Sequence, residues 1–289
     1  AEYRPFRINR IIGKSDIADE NNVNDDLRVF ELDGIKDFSA SQFAFLWIPG
    51  VGEKPFSIVW NKPLTFLIRK KEYDPGRKKG LVSHALFLLK KGDTIMVRGV
   101  YGKGISQPLK KNIYILAGGT GAALIPGLVQ HFSQGGNKIT IFLGVKNDQE
   151  LNLINNEIIS KANTAAGKYS ECISVPDNGK SGRVLDIFYS RFTDPPVSLE
   201  EISDSVFYNM GPAQFMKKAG ELERDLGATP NVIYFALETN TMCGIGLCGE
   251  CVCGEKRTCK DGTFLSLKYL EKHSLDIALN PVEELLCVR

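Results

Sequence analysis

Residues 242 to 262 read MCGIGLCGECVCGEKRTCKDG and hold five of the seven cysteines of a 289-residue chain. Cys243, Cys248 and Cys251 stand in a C-x4-C-x2-C pattern, and Cys259 follows after seven intervening residues. Gly244, Gly246, Gly249 and Gly254 are interleaved with them. Glycine tolerates positive φ and has no side chain to clash, so such a stretch can bend sharply around a bound group. The spacing is that of plant-type [2Fe–2S] ferredoxins, which makes Cys243, Cys248, Cys251 and Cys259 the candidate metal ligands. Zinc is the rival reading, but structural zinc usually shows paired C-x2-C knuckles or histidine partners, and this segment has one C-x2-C and no histidine. A cysteine-rich loop that binds nothing also stays open. Cys253 competes with Cys251 as a ligand; the plant-type spacing favours Cys251 and leaves Cys253 as a buried spare thiol.

An odd cysteine count argues against a disulfide framework, and the two distant cysteines, Cys172 and Cys287, read as structural thiols. Net charge is +2 with no long basic run, so nucleic acid is not an implied partner. The first twenty residues contain no apolar signal-type core, and no window reaches the roughly 18 apolar residues that a bilayer span needs. The expectation is a soluble, cytoplasmic protein.

The middle of the chain alternates strands and helices. KNIYILAGGTGAALIPGLVQHF (111–132) reads as an apolar strand, a turn at Gly118, Gly119, Thr120 and Gly121, and a helix. Such a turn presents free N–H groups to phosphate, although Leu124 stands where a dinucleotide fingerprint has its third glycine. The next strand ends without an acidic residue placed to hold a ribose, and a tight structural turn explains the glycines equally well. SVFYNMGPAQFMKKAGELERDLG repeats the pattern with Gly211-Pro212 at the switch, and Asp177, Asn178 and Gly179 form another turn. Strands and helices alternating over about 112–235 predict a parallel sheet wrapped by helices, with ligands at the carboxyl ends of its strands.

Residues 1 to about 108 differ. RVFEL, QFAFLWIP, FSIVW, LTFLIRK and DTIMVRGVYG are short strand-like runs, with one helix-like stretch, GLVSHALFLLKKGD, which predicts an antiparallel barrel or sandwich. GEKPFSIVW sets a cation, an aromatic ring and a hydroxyl together at a strand start, and Ser83 opens the helix. Both are compatible with packing and capping, and both are compatible with the pyrophosphate and ring of a flavin.

With these segments in this order, residues 5 to 265 resemble the ferredoxin–NADP reductase superfamily. More narrowly, they resemble the electron-transfer subunits of NAD-dependent dihydroorotate dehydrogenases of archaeal type. The resemblance rests on QFAFLWIPGVGEKPFSI, AGGTGAALIP and, most specifically, ALETNTMCGIGLCGECVCGEKRTCKDG. It implies an α+β multidomain fold: an N-terminal antiparallel β-barrel for FAD (1–109), an α/β parallel-sheet region for NAD (110–236) and a small C-terminal [2Fe–2S] region (237–289). It places Lys54, Pro55, Phe56 and Ser57 on the flavin motif and Leu67, Ile68 and Arg69 on the strand lining the flavin. Val82 and Ser83 fall at its pyrophosphate. Gly118 to Gly121, with Gly211 and Pro212, fall at the nicotinamide nucleotide. The departures are Lys54 for an arginine, which keeps the charge but loses the bidentate fork, Val82 for a glycine, Met210 for a cysteine and Thr263 for a proline. Glu238 matches a family glutamate and reads either as a charge on the loop rim or as a flavin-side group.

Nicotinamide exchanges a hydride, two electrons at once, whereas an iron–sulfur cluster passes one, and flavin is the usual converter between them. No acid–base pair is needed, so His84, His131 and His273 read as surface or packing residues. The resemblance implies a catalytic partner, an FMN-containing dihydroorotate dehydrogenase subunit, in a heterotetramer. Two other readings stay open: an electron-transfer subunit of a hydrogenase, sulfide dehydrogenase or ferredoxin:NADP oxidoreductase, and a zinc-stabilised nucleotide-binding regulator.

Overall fold

The computed structural model describes residues 2–16, 25–34, 36–73, 80–163, 168–179 and 183–275. Cys287 lies outside the described residues, as does the end of the 237–289 region. Seven strands form one antiparallel sheet: β1 (Arg4–Gly13), β2 (Leu27–Leu32), β3 (Phe43–Ile48), β4 (Gly52–Ser57), β5 (Trp60–Asn61), β6 (Leu64–Arg69) and β7 (Thr94–Tyr101). Their order is β4-β3-β7-β1-β2-β6-β5, and the sheet curls so that β4 comes back against β6.

The expected strand runs all appear, with three differences. FSIVW is split, because Ser57 ends β4 and Trp60 opens β5 with Ile58 and Val59 buried between them. The helix expected over GLVSHALFLLKKGD is only Leu81–Leu86. Past Leu86 the chain tightens, with Leu88 and Leu89 donating to Ala85 and Leu86, and further on Asp93 accepts the Lys90 N–H and folds the Lys-Lys-Gly-Asp end into a turn. β1 has no counterpart among the expected runs, because its outward positions are Arg4, Arg7, Asn9 and Arg10 and few apolar residues remain to mark its inner face.

The second sheet holds β8 (Asn112–Gly118), β9 (Lys138–Val145), β10 (Glu171–Pro176), β11 (Ser205–Met210) and β12 (Ile233–Ala236), all parallel and ordered β10-β9-β8-β11-β12. Helices including Ile125–Ser133, Arg183–Thr193 and Ala213–Asp225 connect and cover them. Burial on both faces accounts for near-continuous apolar strands such as IFLGV and NIYILAG. The chain order reverses between β8 and β11, so the turns after these two strands flank a crevice, the usual ligand position in such sheets. After the cysteine segment, which contains the short hairpin β13 (Val252–Cys253) and β14 (Lys256–Arg257), the chain adds β15 (Phe264–Ser266) antiparallel to β12.

Strand alternation joins the two sheets. On β2, Phe30 and Leu32 point into the core of the antiparallel sheet, while Leu27 and Val29 pack into the core of the parallel sheet and its helices. β6 does the same, with Phe66 and Ile68 on one side and Leu67 on the other. One layer of strands therefore serves two cores, and the cleft beside it is built between rigid elements. No helix among the described residues is long and apolar enough to cross a membrane.

Candidate functional site

A cavity of about 430 Å³ opens where the antiparallel sheet, the parallel sheet and the cysteine segment meet. From β4 and its neighbours it is lined by Lys54, Pro55, Phe56, Ser57, Leu67, Arg69 and Ser83; from the glycine turns by Thr120, Gly121 and Gly211; and from the third side by the run Ala236 to Met242 and by Thr258. Met242 immediately precedes Cys243, and Thr258 immediately precedes Cys259. The cavity and the cysteine loop thus share a wall. β4 is an edge strand, so one row of its backbone groups is left for a ligand.

Two of the residues predicted at the flavin, Ile68 and Val82, lie elsewhere. Ile68 sits between Leu67 and Arg69 on a strand, so its side chain points the other way, into the antiparallel-sheet core. Val82 packs into the same core and does not line the cavity. Ser83 does line it, but its hydroxyl already accepts the Lys71 N–H (3.1 Å) and donates to the Gly80 carbonyl (3.0 Å). Arg69 is tied to Asp26 (2.7 Å) and Glu150 (2.6 Å), and Lys14 also bonds Asp26. Burial works against the Arg69 charge, but Glu150 and Asp26 outweigh it and raise its pKa further. An arginine already flanked by two carboxylates is a weaker phosphate anchor than a free one. Glu150 is fully buried beside Gly119, with one carboxylate oxygen unpartnered. No sequence pattern singled it out, since it lies in the helix after β9 rather than at the strand end.

The glycine turns have a structural reason of their own. A Cβ on Gly121 would stand 2.6 Å from the Met210 carbonyl oxygen, and one on Gly211 would stand 2.6 Å from the Gly118 oxygen, with Gly211 at φ 130°. The two turns approach backbone to backbone, which only glycine permits. Gly118 and Pro212 back this contact, and Gly119 instead faces Glu150 and Arg69; none of the three lines the cavity. Gly119 to Leu124 form a 3-10 turn, so the helix proper opens only at Ile125.

In the cysteine loop Gly244, Gly246, Gly249 and Gly254 all have positive φ. The bends aim N–H groups at sulfur: Gly246 donates to Cys259 Sγ (3.1 Å), and Leu247 and Cys248 donate to Cys243 Sγ (3.3 and 3.4 Å). The Cys248 N–H is the largest influence on the Cys243 thiol, whose pKa falls to about 6. Burial, then the neighbouring Cys251, pushes Cys259 up to about 12. Cys251 and Cys259 place their sulfurs 3.1 Å apart among Phe43, Phe45 and Tyr101. Among the described residues, no three or more Cys, His, Asp or Glu side chains converge on one metal position. The thiols instead fall in two pairs, Cys243 with Cys248 and Cys251 with Cys259. A two-iron cluster takes two thiolates per iron, so the residues present fit it better than they fit a single zinc ion. Cys253 belongs to a different core, with Leu265 and Leu270 under the helix Leu267–Lys272.

Outside the cavity, His273 lies tilted against Tyr269 (4.4 Å) and His131 against Phe132 (5.4 Å), while His84 faces Tyr73 (6.0 Å). Burial raises the Cys172 thiol to about 11.

Known proteins agree with this architecture. No protein-family model matches the chain. A solved structure of an NADH-dependent reduced ferredoxin-NADP oxidoreductase superposes with a TM-score of 0.70, covering 93% of this chain and 92% of the other at 20% identity. The fold is therefore that of the ferredoxin–NADP reductases. Among sequences, a probable dihydroorotate dehydrogenase B (NAD(+)) electron transfer subunit of Methanocaldococcus jannaschii is 31% identical over 240 residues, 82% of each chain. Sulfhydrogenase 1 subunit gamma of Pyrococcus furiosus is 30% identical over 241 residues, 78% of each chain. The chain belongs to the family of the dihydroorotate dehydrogenase B electron transfer subunits, and its role is electron transfer.

Proposed function

We propose that this chain carries electrons between NAD(H) and a catalytic partner subunit, using FAD in the shared cavity and a [2Fe–2S] cluster on Cys243, Cys248, Cys251 and Cys259. The observation that carries the reading is the common wall: residues adjoining two of the four cysteines line the same cavity as Lys54 to Ser57, Gly121 and Gly211. When bound, the nicotinamide supplies hydride chemistry, the flavin converts between two electrons and one, and the cluster passes single electrons. The protein's part is to bind and orient. Lys54 and Ser57 offer a positive charge and a hydroxyl to a phosphorylated ligand, Phe45, Pro55, Leu67 and Met210 offer apolar surface to a flat ring, and the turns at Gly121 and Gly211 let backbone come close at the nucleotide end. The N–H groups of Gly246, Leu247 and Cys248 stabilise charge on sulfur.

In this reading residues 1–109 hold the flavin, 110–236 the nicotinamide nucleotide and 237–289 the cluster. The partner is an FMN-containing dihydroorotate dehydrogenase subunit, met near the cysteine loop in a heterotetramer in the cytoplasm. Exposed Met242, Ile245 and Leu247 supply an apolar surface there. The identity to a sulfhydrogenase gamma subunit favours one second reading, a hydrogen- or sulfur-handling partner. Isolation of the native complex decides between them. The expected complex oxidises dihydroorotate with NAD⁺, whereas the chain alone reduces artificial dyes with NADH and leaves dihydroorotate untouched. A hydrogenase subunit in the complex, or dihydroorotate oxidation by the chain alone, overturns the assignment.

A further inference from the structure

Arg98 lies on β7, outside every motif that the sequence singled out, and is 6% exposed. A guanidinium has five N–H donors, and here each of them has a partner. Nε and Nη2 hold the two oxygens of Glu53 (both 2.7 Å), with the Tyr3 hydroxyl also near Nε (3.1 Å). Nη1 bonds the Tyr101 hydroxyl (3.0 Å) and the Cys243 carbonyl (2.9 Å), and Nη2 also bonds the Met242 carbonyl (2.5 Å). The plane stacks on Phe45 at 3.7 Å. Burial opposes the charges, but the mutual bonds outweigh it, holding Glu53 below the usual carboxylate range and Arg98 above its ordinary value.

The partners belong to three different parts of the molecule. Glu53 adjoins Lys54 in β4 and lines the cavity, as does Phe45 of β3. Met242 and Cys243 begin the cysteine loop. A fold that needed only a neutral core here would use apolar residues, since a buried ion pair is poor value as a stabiliser compared with a hydrophobic packing of the same volume. A planar fork that fixes three directions at once is what arginine supplies and lysine does not.

We propose that Arg98 is a positioning residue that holds the first cysteine of the loop in fixed register with the flavin-side strand β4, and that the Arg98–Glu53 pair sets the electrostatic environment of the cluster. The inference rests on the reading of the cavity as a flavin site and of the four cysteines as a cluster site. A positive charge beside a cluster favours its reduced, more negative form, and a negative charge disfavours it.

The test uses the full chain, with the midpoint potential of the cluster followed by an EPR-monitored redox titration. Arg98→Gln leaves the Glu53 carboxylate without its counter-charge, so the potential falls. Glu53→Gln leaves Arg98 in place without its counter-charge, so the potential rises. Opposite shifts are the signature, because general loosening of the loop has no reason to change sign between the two variants. Arg224→Gln, which breaks the exposed pair with Glu271, leaves the potential where it was. In the same loaded protein, Arg98→Lys keeps the charge but loses the fork, and amide exchange at 244–248 quickens at least about tenfold, the scale of one lost charge-assisted hydrogen bond.

If Arg98→Gln does not fold, Glu53→Gln and the exchange measurement still decide. Shifts of the same sign, no shift, or exchange like that of the unaltered chain overturn the proposal while iron, sulfide and flavin remain bound. Absence of those groups from the unaltered protein is a different failure, and it removes the reading on which the proposal stands.

Discussion

Exchanging Cys253 for serine, beside the same exchange at Cys251, separates the two possible ligand sets. Cys253 is fully buried in the core under the helix Leu267–Lys272, where the Tyr269 hydroxyl donates to its carbonyl (2.9 Å). Cys251 packs in a different group, against Cys259 and the aromatic residues Phe43, Phe45 and Tyr101. A hydroxyl in place of the Cys253 thiol enters apolar surroundings at a cost of about 1–3 kcal/mol. For a domain of 150–250 residues each kcal/mol lowers Tm by about 2–4 °C, so the variant melts several degrees early. Iron and acid-labile sulfide nonetheless stay at about two each per chain. Cys251→Ser removes a sulfur that stands 3.1 Å from Cys259, and the cluster is lost along with its own share of the visible absorbance, leaving the flavin band. Colorimetric iron and sulfide counts on both variants, with thermal melts, complete the assay. Loss of the cluster from Cys253→Ser and its retention in Cys251→Ser would refute the ligand set.

Three further outcomes follow from other parts of the molecule. Gly211→Ala forces a Cβ to 2.6 Å from the Gly118 oxygen at φ 130°, a strain on the order of 1–3 kcal/mol before any clash is relieved; an unfolding midpoint like that of the unaltered chain would show that the turns are not in backbone contact. Glu223, buried against Asn209 (2.9 Å), has its pKa raised well above the ordinary carboxylate value by burial. The folded chain keeps this proton after the unfolded chain has lost it, so stability declines as pH rises from about 4.5 toward the folded pKa; Glu223→Gln flattens that decline in denaturant melts, and an unchanged pH slope would contradict the protonated state. Leu247, 81% exposed beside Cys248, becomes buried on docking if the partner covers the loop, so Leu247→Asp weakens the complex about ten- to a hundredfold by calorimetry, the scale of one buried leucine; an unchanged Kd would move the interface elsewhere.

The cysteine loop was legible because its information is local: spacing and interleaved glycines specify the bends that the backbone makes at Gly244, Gly246 and Gly249. The parallel sheet was legible for a similar reason, since strands buried on both faces read as unbroken apolar runs. β1 escaped because its solvent-facing arginines hide the alternation. Ile68 was misplaced with its neighbours because a resemblance carries a strand as a block, whereas the pleat sends its side chain away from Leu67 and Arg69. The glycines at 121 and 211 were visible, but their contact with each other's strand is a tertiary fact. Arg98 read only as part of a strand run, because the partners that give it a role, Glu53 and Cys243, stand 45 and 145 positions away in the chain. Glu150 was hidden likewise, its link to Arg69 spanning 81 positions.

The central claim is that one chain joins hydride chemistry to single-electron transfer across a shared wall. Anaerobic titration of the purified chain with NADH, followed by visible absorbance and EPR together, tests it most directly. The account predicts that NADH bleaches a flavin band and that a reduced [2Fe–2S] signal grows as electrons pass on, the signal being absent in Cys251→Ser. Stoichiometric zinc without acid-labile sulfide, or a flavin that bleaches while a fully loaded cluster stays oxidised in the presence of excess NADH, would contradict it.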